Sequence, residues 1–442
     1  MPGYDRKNLA GLRIGFVSTR FAGTDGVTLE TEKWATVLER LGHTCFFFAG
    51  SSDQPAERSR IVPEALFLHP DVRHIYDIAL TQRVRPPEIT RLILQLEDHL
   101  KQQIGEFIRD FEIDLLIPQN ALAIPMNIPL GIALTEFIAE TGFPTIAHHH
   151  DFYWERQRYL VNCVSDYLAM AFPPGLPFIQ HVAINSLAAA QLSLRTGNSA
   201  LVVPNVMDFD NPPSRPDEYT QDLRPVLNVE PDEKLFLQPT RVVQRKGIEH
   251  AIELTRRVGM KARLVISHAS GDERDDYEQR LRDYAVLLDV PVNFVSDVIR
   301  NKRGQTSDGR KIYSLADVYS QSDLVTYPSS IEGFGNAFLE AIYFRRPIVV
   351  NDYSIYDVDI KPKGFQVIEF VGYITGETVR QTLQVLENPE MAEGMAEHNY
   401  QLGKRFYSFD VLERYLQTLI STVFGENAVR VFTDGETPEK KP

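Results

Sequence analysis

The sequence predicts an α/β protein built from two Rossmann-like domains with a cleft between them. Three observations predict it. Short apolar runs alternate with stretches of helical apolar spacing from Leu12 to Val203. A second series of the same kind runs from Leu235 to Val350. Between them, Phe209 to Asp232 is broken by Pro212, Pro213, Pro216, Pro225 and Pro231, as a linker would be. Strands alternating with helices, without hairpin signals, predict parallel, doubly wound sheets.

In the first series, Leu12 to Ser18 is a buried strand by its unbroken apolar run. A loop with Gly23 and Gly26 follows, then a helix from Leu29 to Leu41 that Gly42 ends, then a strand from Thr44 to Ala49. This is one βαβ unit. Ile89 to Phe111 reads as a long amphipathic helix and Ile113 to Pro118 as a strand. Ala133 to Thr141 is a helix, and the strand Pro144 to Ala147 leads into a loop from His148 to Glu155. His181 to Ile184 is a strand, Ser186 to Thr196 a helix and Ala200 to Val203 a strand.

In the second series, strands are expected at Leu235 to Gln238, Ala262 to Ser267, Val292 to Val295, Leu324 to Tyr327 and Pro347 to Val350. Helices are expected at Gly247 to Val258, Asp275 to Leu288, Ile312 to Tyr319 and Asn336 to Phe344. Further helices cover Thr378 to Glu387, Met391 to Phe406 and Ser408 to Val423. The polar tail from Asn427 is expected to be disordered. The domain reading is 1–208, a linker at 209–232, 233–406, a last helix at 407–426 and a tail at 427–442.

Composition narrows the function classes. The 442 residues are 43% hydrophobic and 24% charged, as in soluble globular proteins. The net charge of −14 disfavours nucleic acid as a partner, because no overall positive field draws in a phosphate backbone. Cys45 and Cys163 are far apart and form no metal knuckle, so both are expected to be plain thiols. No run is long and apolar enough for a transmembrane helix, and no secretory leader is visible, so a cytoplasmic location is expected.

Ligands of such sheets bind beyond the carboxyl ends of the strands, so the loops after strands carry the candidates. The strongest is Tyr327 to Glu340. There a strand ends, Gly333 and Gly335 let the backbone approach a ligand, and a helix opens near Asn336. Glu332 and Glu340 would repel phosphate, and suit sugar or ribose hydroxyls instead. The second is Gln238 to Gly247, where Arg241 and Lys246, with Arg245, can converge on a phosphate and stabilise the charge of a leaving diphosphate. Each has a plainer reading, an ordinary strand–helix turn and a solvated basic turn.

The third is His148-His149-His150-Asp151 with Tyr153 and Trp154. In extended chain, neighbouring side chains point to opposite sides, so three histidines do not converge on one ion. Contact with a sugar is the better reading, and no metal is assigned. The fourth is Gly23 to Glu30, a loop able to present backbone N–H groups at a helix start.

Together these residues resemble the family 4 glycosyltransferases, which have the GT-B fold. Glu332 and Glu340 resemble the family's paired-glutamate motif, and Arg241 with Lys246-Gly247 its donor-phosphate pair. Val203 to Asp208 is similar to its interdomain Pro-Asn-Gly-Val-Asp segment. Phe406 to Asp410 resembles the stretch before a helix that crosses back to the first domain. The resemblance spans nearly the whole chain. It implies a retaining hexosyltransferase using a nucleotide-diphosphate sugar, with front-face displacement and no dedicated general base. It implies donor diphosphate on Arg241 and Lys246, ribose on Glu340, the transferred sugar near Glu332, and contacts from the Gly333, Phe334, Gly335 and Asn336 backbone. Gly26 would lie against the phosphates, and His150, with His149 second, would lie near the reacting carbon. No tightly bound cofactor is implied, and magnesium would be at most stimulatory.

Some residues depart from the pattern. Arg345-Arg346 stands before Pro347 where the family has glycine, and Val206 replaces another glycine. Asn301 to Ile312 is long and basic, with Lys302, Arg303, Arg310 and Lys311 as a clamp for an anionic group or a solvated loop. Base recognition falls around Ser296 to Arg300. Thr24-Asp-Gly-Val with the histidine stretch resembles enzymes that mannosylate glucosylglycerate-type compatible solutes. The partners implied are GDP-mannose or UDP-glucose and a small soluble, anionic acceptor such as glucosylglycerate. The alternatives are a peripheral-membrane transferase for a lipid-linked acceptor, a phosphorylase sharing the site, and a non-catalytic GT-B-shaped binding protein.

Overall fold

The computed structural model describes residues 11–23, 25–213, 215–269, 276–300 and 302–425. Thr24, Asn301 and the tail from Asn427 lie outside them. The chain divides into two compact units, one reaching to Asn205 and resuming at Phe409, the other Val206–Ser408.

The first unit holds β1 (Arg13–Val17), α1 (Gly26–Arg40), β2 (Thr44–Ala49), β3 (Ser59–Ile61), α2 (Pro70–Ala79), α3 (Pro87–Asp110) and β4 (Leu115–Pro118). It continues with α4 (Ile128–Thr141), β5 (Thr145–His149), α5 (Ser165–Ala171), β6 (Ile179–Ala183), α6 (Ser186–Thr196) and β7 (Ala200–Val202). The strands form one parallel sheet in the order β3-β2-β1-β4-β5-β6-β7. The order reverses between β1 and β4, which is where such a sheet opens a ligand crevice.

Local chemistry starts and stops these elements. Asp25 caps α1 by accepting from Val27 and Thr28 N–H at 3.1 and 3.2 Å. Asn127 and Asn185 cap α4 and α6 in the same way, and left-handed Gly142 and Gly197 end them. The apolar stripe of α3 packs with Phe46, Phe48 and Leu116 of the sheet in one core cluster. Gly50 follows β2 where its backbone passes Leu66 so closely that a Cβ would overlap that residue's backbone.

The second unit holds α7 (Leu223–Val226), β8 (Lys234–Gln238), α8 (Ile248–Arg257), β9 (Ala262–Ile266), α9 (Asp276–Leu287) and β10 (Val292–Phe294). Then come β11 (Ile299–Arg300), β12 (Gly304–Gln305), β13 (Lys311–Ser314), α10 (Leu315–Gln321), β14 (Leu324–Tyr327) and α11 (Asn336–Tyr343). β15 (Ile348–Asn351), β16 (Ile368–Phe370), α12 (Gly376–Glu387) and α13 (Pro389–Tyr407) complete it. Its main sheet is parallel, in the order β10-β9-β8-β14-β15-β16, and reverses between β8 and β14. α14 (Phe409–Phe424) then rejoins the first unit, where it packs on α1 and Arg40 lies 4.9 Å over the Phe409 ring.

The α/β class and both parallel sheets agree with the sequence reading. Several boundaries do not. The helix expected from Ile312 starts at Leu315, because Ser314 caps it by accepting from Asp317 N–H at 3.2 Å. Ile312 to Ser314 belong instead to β13 of a small third sheet, β11-β13-β12. β5 runs on through His148 and His149, which the sequence reading placed in a loop. Within 209–232, Leu223 and Leu227 are buried in the second unit, and the Tyr219 hydroxyl donates to Gly304 and Ile312 carbonyls at 3.0 and 2.8 Å.

Arg345 explains one departure. It has φ +52°, a left-handed backbone that glycine adopts without cost and other residues adopt at about 1 kcal/mol. Its guanidinium lies 3.4 Å over the Tyr400 ring and 2.9 Å from Glu397, contacts that offset the strain and that glycine lacks.

Gly50→Ala is expected to destabilise the protein by about 1–3 kcal/mol in urea unfolding, since Leu66 backbone must move to admit one methyl group. An unchanged midpoint would show that the β2 end is looser than described.

Candidate functional site

In the second unit the two loops flanking the order reversal meet. The loop after β8 ends in a tight turn at Gln244–Lys246, and Gly247 follows with φ +57°. A Cβ on Gly247 would stand 2.5 Å from the Pro328 carbonyl, so both conformation and space select glycine. The loop after β14 approaches from the other side. Ser330 N–H donates to the Arg245 carbonyl at 2.9 Å, and the Arg245 guanidinium donates to the Ile331 carbonyl at 3.1 Å.

This brings Lys246 into an ion pair with Glu332, with only 10% of either side chain exposed. Arg245 lies 3.4 Å from the same carboxylate. Lys246 also lies 5.8 Å over the Tyr327 ring. Arg241 is exposed, and its side chain has no partner among the described residues. Its charge is nonetheless felt at Lys246 and at His268.

The titration of the cluster shows its sign. Burial works to raise the Glu332 carboxyl, but Lys246 and Arg245 overcome it and hold it below the usual range. Lys246 is itself lowered, by burial first and by Arg245 and Arg241 against the pull of Glu332. An ion pair alone would raise the lysine. Burial is the main cause of the fall at Lys246, and Arg245 and Arg241 add to it, so three cations stand near Lys246 against one carboxylate. Such a place favours an anion.

His268, on the loop after β9, joins them. Burial, then Arg241 and Lys246, lower it to about 4, so it is neutral at pH 7. Its Nδ1 lies 2.8 Å from the Ser267 hydroxyl. Val242 N–H donates to the Ala269 carbonyl at 3.2 Å, which ties that loop to the Arg241 loop. Nothing in the sequence around Ser267-His268-Ala269 distinguishes it from a plain strand end, and it was missed there.

Gly333, Phe334, Gly335 and Asn336 lead into α11. Gly335 has φ +128°, and a Cβ there would overlap the Tyr353 hydroxyl. That hydroxyl donates to the Phe334 carbonyl at 2.8 Å, which fixes the loop from below. No side chain caps α11. Glu340 accepts from the buried Tyr319 hydroxyl at 2.8 Å, a turn into the helix.

In the first unit the loops at the reversal again converge. Asp25, next to Gly26, accepts from the Thr28 hydroxyl at 2.9 Å and from Arg20 at 3.2 Å. Gln119 and Asn120 follow β4, with Asn120 at φ +58°. Asn120 accepts from His150 N–H at 3.0 Å and donates to Asp151 at 2.8 Å. Asp151 also pairs with Arg156.

The three histidines alternate as extended chain requires. His148 and His150 turn toward Gln119, at 2.9 and 3.1 Å, while His149 turns away to His181 at 2.9 Å. Burial, chiefly, lowers His150 to about 4 and His148 and His149 well below the usual imidazole range, so all three are neutral. Glu155 goes the other way. Burial, then Asp151, raises it to about 7.

Three cations of the basic segment are ion-paired within the protein. Arg303 is held by Asp217 at 2.6 Å and by Asp317, Arg310 by Asp297 at 2.7 Å and Asp308, and Lys311 by Asp222 at 2.7 Å. Arg303 and Lys311 thereby fasten the small sheet to Asp217 and Asp222. A cavity of about 550 Å³ lies beside edge strand β10, lined by Val226, Arg282, Phe294 and Arg310 among others. It shares no residue with the Lys246 cluster. No described helix is long and apolar enough to cross a membrane.

Comparison with known proteins places this geometry. Residues 308–402 match the family Glycosyl transferases group 1. The chain is 30% identical to mannosylglucosylglycerate synthase of Petrotoga mobilis, over 90% of this chain and 98% of that protein. It is also 30% identical to mannosylglucosylglycerate synthase of Thermotoga maritima, over 92% and 99%. Among solved structures, a glycosyltransferase from Rickettsia africae superposes with a TM-score of 0.66 at 14% identity, over 94% of this chain and 99% of that one.

The charge surplus predicts how the cluster responds to loss of its carboxylate. Glu332→Gln should destabilise the ligand-free protein by roughly 1–3 kcal/mol, because Lys246 is left buried and unpaired. Millimolar inorganic pyrophosphate should then raise the melting temperature of the variant more than that of wild type. An equal or smaller rise would show that no anion binds beside Lys246.

Proposed function

We propose that this chain, which belongs to the group 1 glycosyltransferase family, moves a hexose with retention from a nucleotide-diphosphate sugar to a small soluble acceptor that carries an anionic group. The observation that carries the reading is the cationic surplus around Lys246, at the crevice of the second sheet. Mannose from GDP-mannose and glucosylglycerate as acceptor are the preferred pair, on the strength of the two synthases that match nearly the whole chain. UDP-glucose is the other donor the reading admits.

We assign the donor to the second unit. Arg241, exposed and unspent, and Lys246 would hold the diphosphate. As the glycosidic bond breaks, negative charge grows on the leaving phosphate, and cations already in place stabilise it without reorganisation. Glu332 keeps Lys246 aimed between the loops and would accept from hydroxyls of the transferred sugar. Glu340 would accept from the ribose hydroxyls. Gly333 to Asn336 would bring backbone to the diphosphate, on a loop braced by Tyr353.

We assign the acceptor side to the first unit. His150 is neutral and would meet the sugar as a hydrogen-bonding group rather than as a proton donor. The acceptor proton would pass to the leaving phosphate as the new bond forms. No buried, free carboxylate is therefore required as a base.

The test is direct. Purified protein given GDP-mannose and glucosylglycerate should release GDP and form an α-mannosidic product, the configuration of the donor. Arg241→Ala should lower kcat/KM by about 10²–10³-fold. A β-linked product would overturn retention, and no transfer from either donor would overturn the transferase reading.

A further inference from the structure

Gln119 does something that its place at a strand end does not announce. Its Oε1 stands 2.9 Å from His148 Nδ1 and 3.1 Å from His150 Nε2. With the amide in this orientation, the atom between the rings is a carbonyl oxygen with two lone pairs and no proton, so each nitrogen aimed at it carries the proton. His148 is then protonated on Nδ1 and His150 on Nε2. His150 Nδ1 is left with its lone pair.

From this shared oxygen we infer that Gln119 is a positioning residue that locks His150 in the Nε2–H tautomer and leaves Nδ1 as a pure acceptor. The lock is stiff. The two imidazoles lie 4.4 Å apart, His148 is stacked on Trp34 at 4.1 Å, and the His150 backbone is pinned by Asn120. Asn120 also donates to Asp151 at 2.8 Å.

The charged and titratable groups that face His150 are Asp25 and Lys33 from around α1, Asp151 beside it and His148 across from it. The carboxylates favour an imidazolium, but burial outweighs them and the ring stays neutral to about pH 4. A neutral ring with a fixed tautomer has one function left at Nδ1, to accept a hydrogen bond from a hydroxyl. This rests on the reading that His150 meets the transferred sugar, and it specifies what the histidine reads: a hydroxyl proton, not an oxyanion.

The tautomers are read on the full chain labelled with ¹⁵N-histidine, by long-range ¹H–¹⁵N correlation at pH 7. His148→Gln and His150→Gln identify the signals. Nδ1–H at His148 and Nε2–H at His150 are expected in wild type, with Gln119→Leu releasing His150 to a mixture. Nδ1–H at His150 in wild type, or an unchanged tautomer in Gln119→Leu, would overturn the inference. In kinetics, Gln119→Leu should lower kcat by about tenfold with the donor KM nearly unchanged, because His150 is no longer aimed. Gln119→Glu places an anion between the rings and should give kcat a pH dependence between about 5 and 8 that wild type lacks. Expected spectra with full activity in His150→Ala would uphold the tautomer lock and remove His150 from the sugar site.

Discussion

The pairing of Lys246 with Glu332 is the interaction on which the second unit's site depends. Each residue sits on a loop that follows a strand, and the two strands, β8 and β14, are those between which the sheet order reverses. The pair draws the loops together, yet does not neutralise the place it occupies. Arg245 shares the same carboxylate, and Arg241 stands beside it uncommitted. Desolvation is tolerated because the carboxylate is held by two cations and the lysine also lies over an aromatic ring. What remains is a preorganised positive field in a partly dry crevice, the form of electrostatic support that a departing diphosphate needs.

The first unit solves the opposite problem. Its loops at the reversal carry groups without charge, His148 and His150 neutral through burial and Gln119 between them, and Glu155 is raised to about 7. Charges there are committed to each other, as in Asp151 with Arg156 and Asp25 with Arg20 and the start of α1. On the proposed function, one unit would offer charge to a phosphate, and the other directed hydrogen bonds to hydroxyls. That division follows from the same sheet topology used twice with different loop residues.

Much of this was legible in the sequence, for identifiable reasons. Runs such as Ile14–Val17 and Leu324–Tyr327 are almost wholly apolar because both faces of a parallel sheet are covered, and that pattern has few alternatives. Arg241, Lys246, Glu332 and Glu340 stood out as candidates because strand-end loops with glycine advertise themselves. Gln119, Asn120 and His268 were not, since their roles arise only when distant loops meet. Ile312 to Ser314 was misread as helix because a four-residue strand of mixed polarity carries too little period to declare itself. The basic run left both its readings, clamp and solvated loop, open for a related reason: sequence shows the cations, but the aspartates that pair with Arg303, Arg310 and Lys311 lie up to 89 residues away.

The central claim is that the Lys246 cluster is a diphosphate site held short of an anion. Proton exchange on binding tests it most directly. In the free protein Lys246 is lowered from its ordinary value of 10.5, by burial first and by neighbouring cations. A bound diphosphate favours the ammonium and moves it back up, so binding takes up protons to the extent that Lys246 is deprotonated in the free protein, more at pH 9 than at pH 7.5. Calorimetric titration of GDP or UDP in buffers of different ionisation enthalpy, at both pH values, reads that number. Lys246→Arg, whose guanidinium stays charged throughout, is the control. The account predicts uptake in wild type that grows with pH and is absent in the variant. Binding with no difference between the two proteins would contradict it.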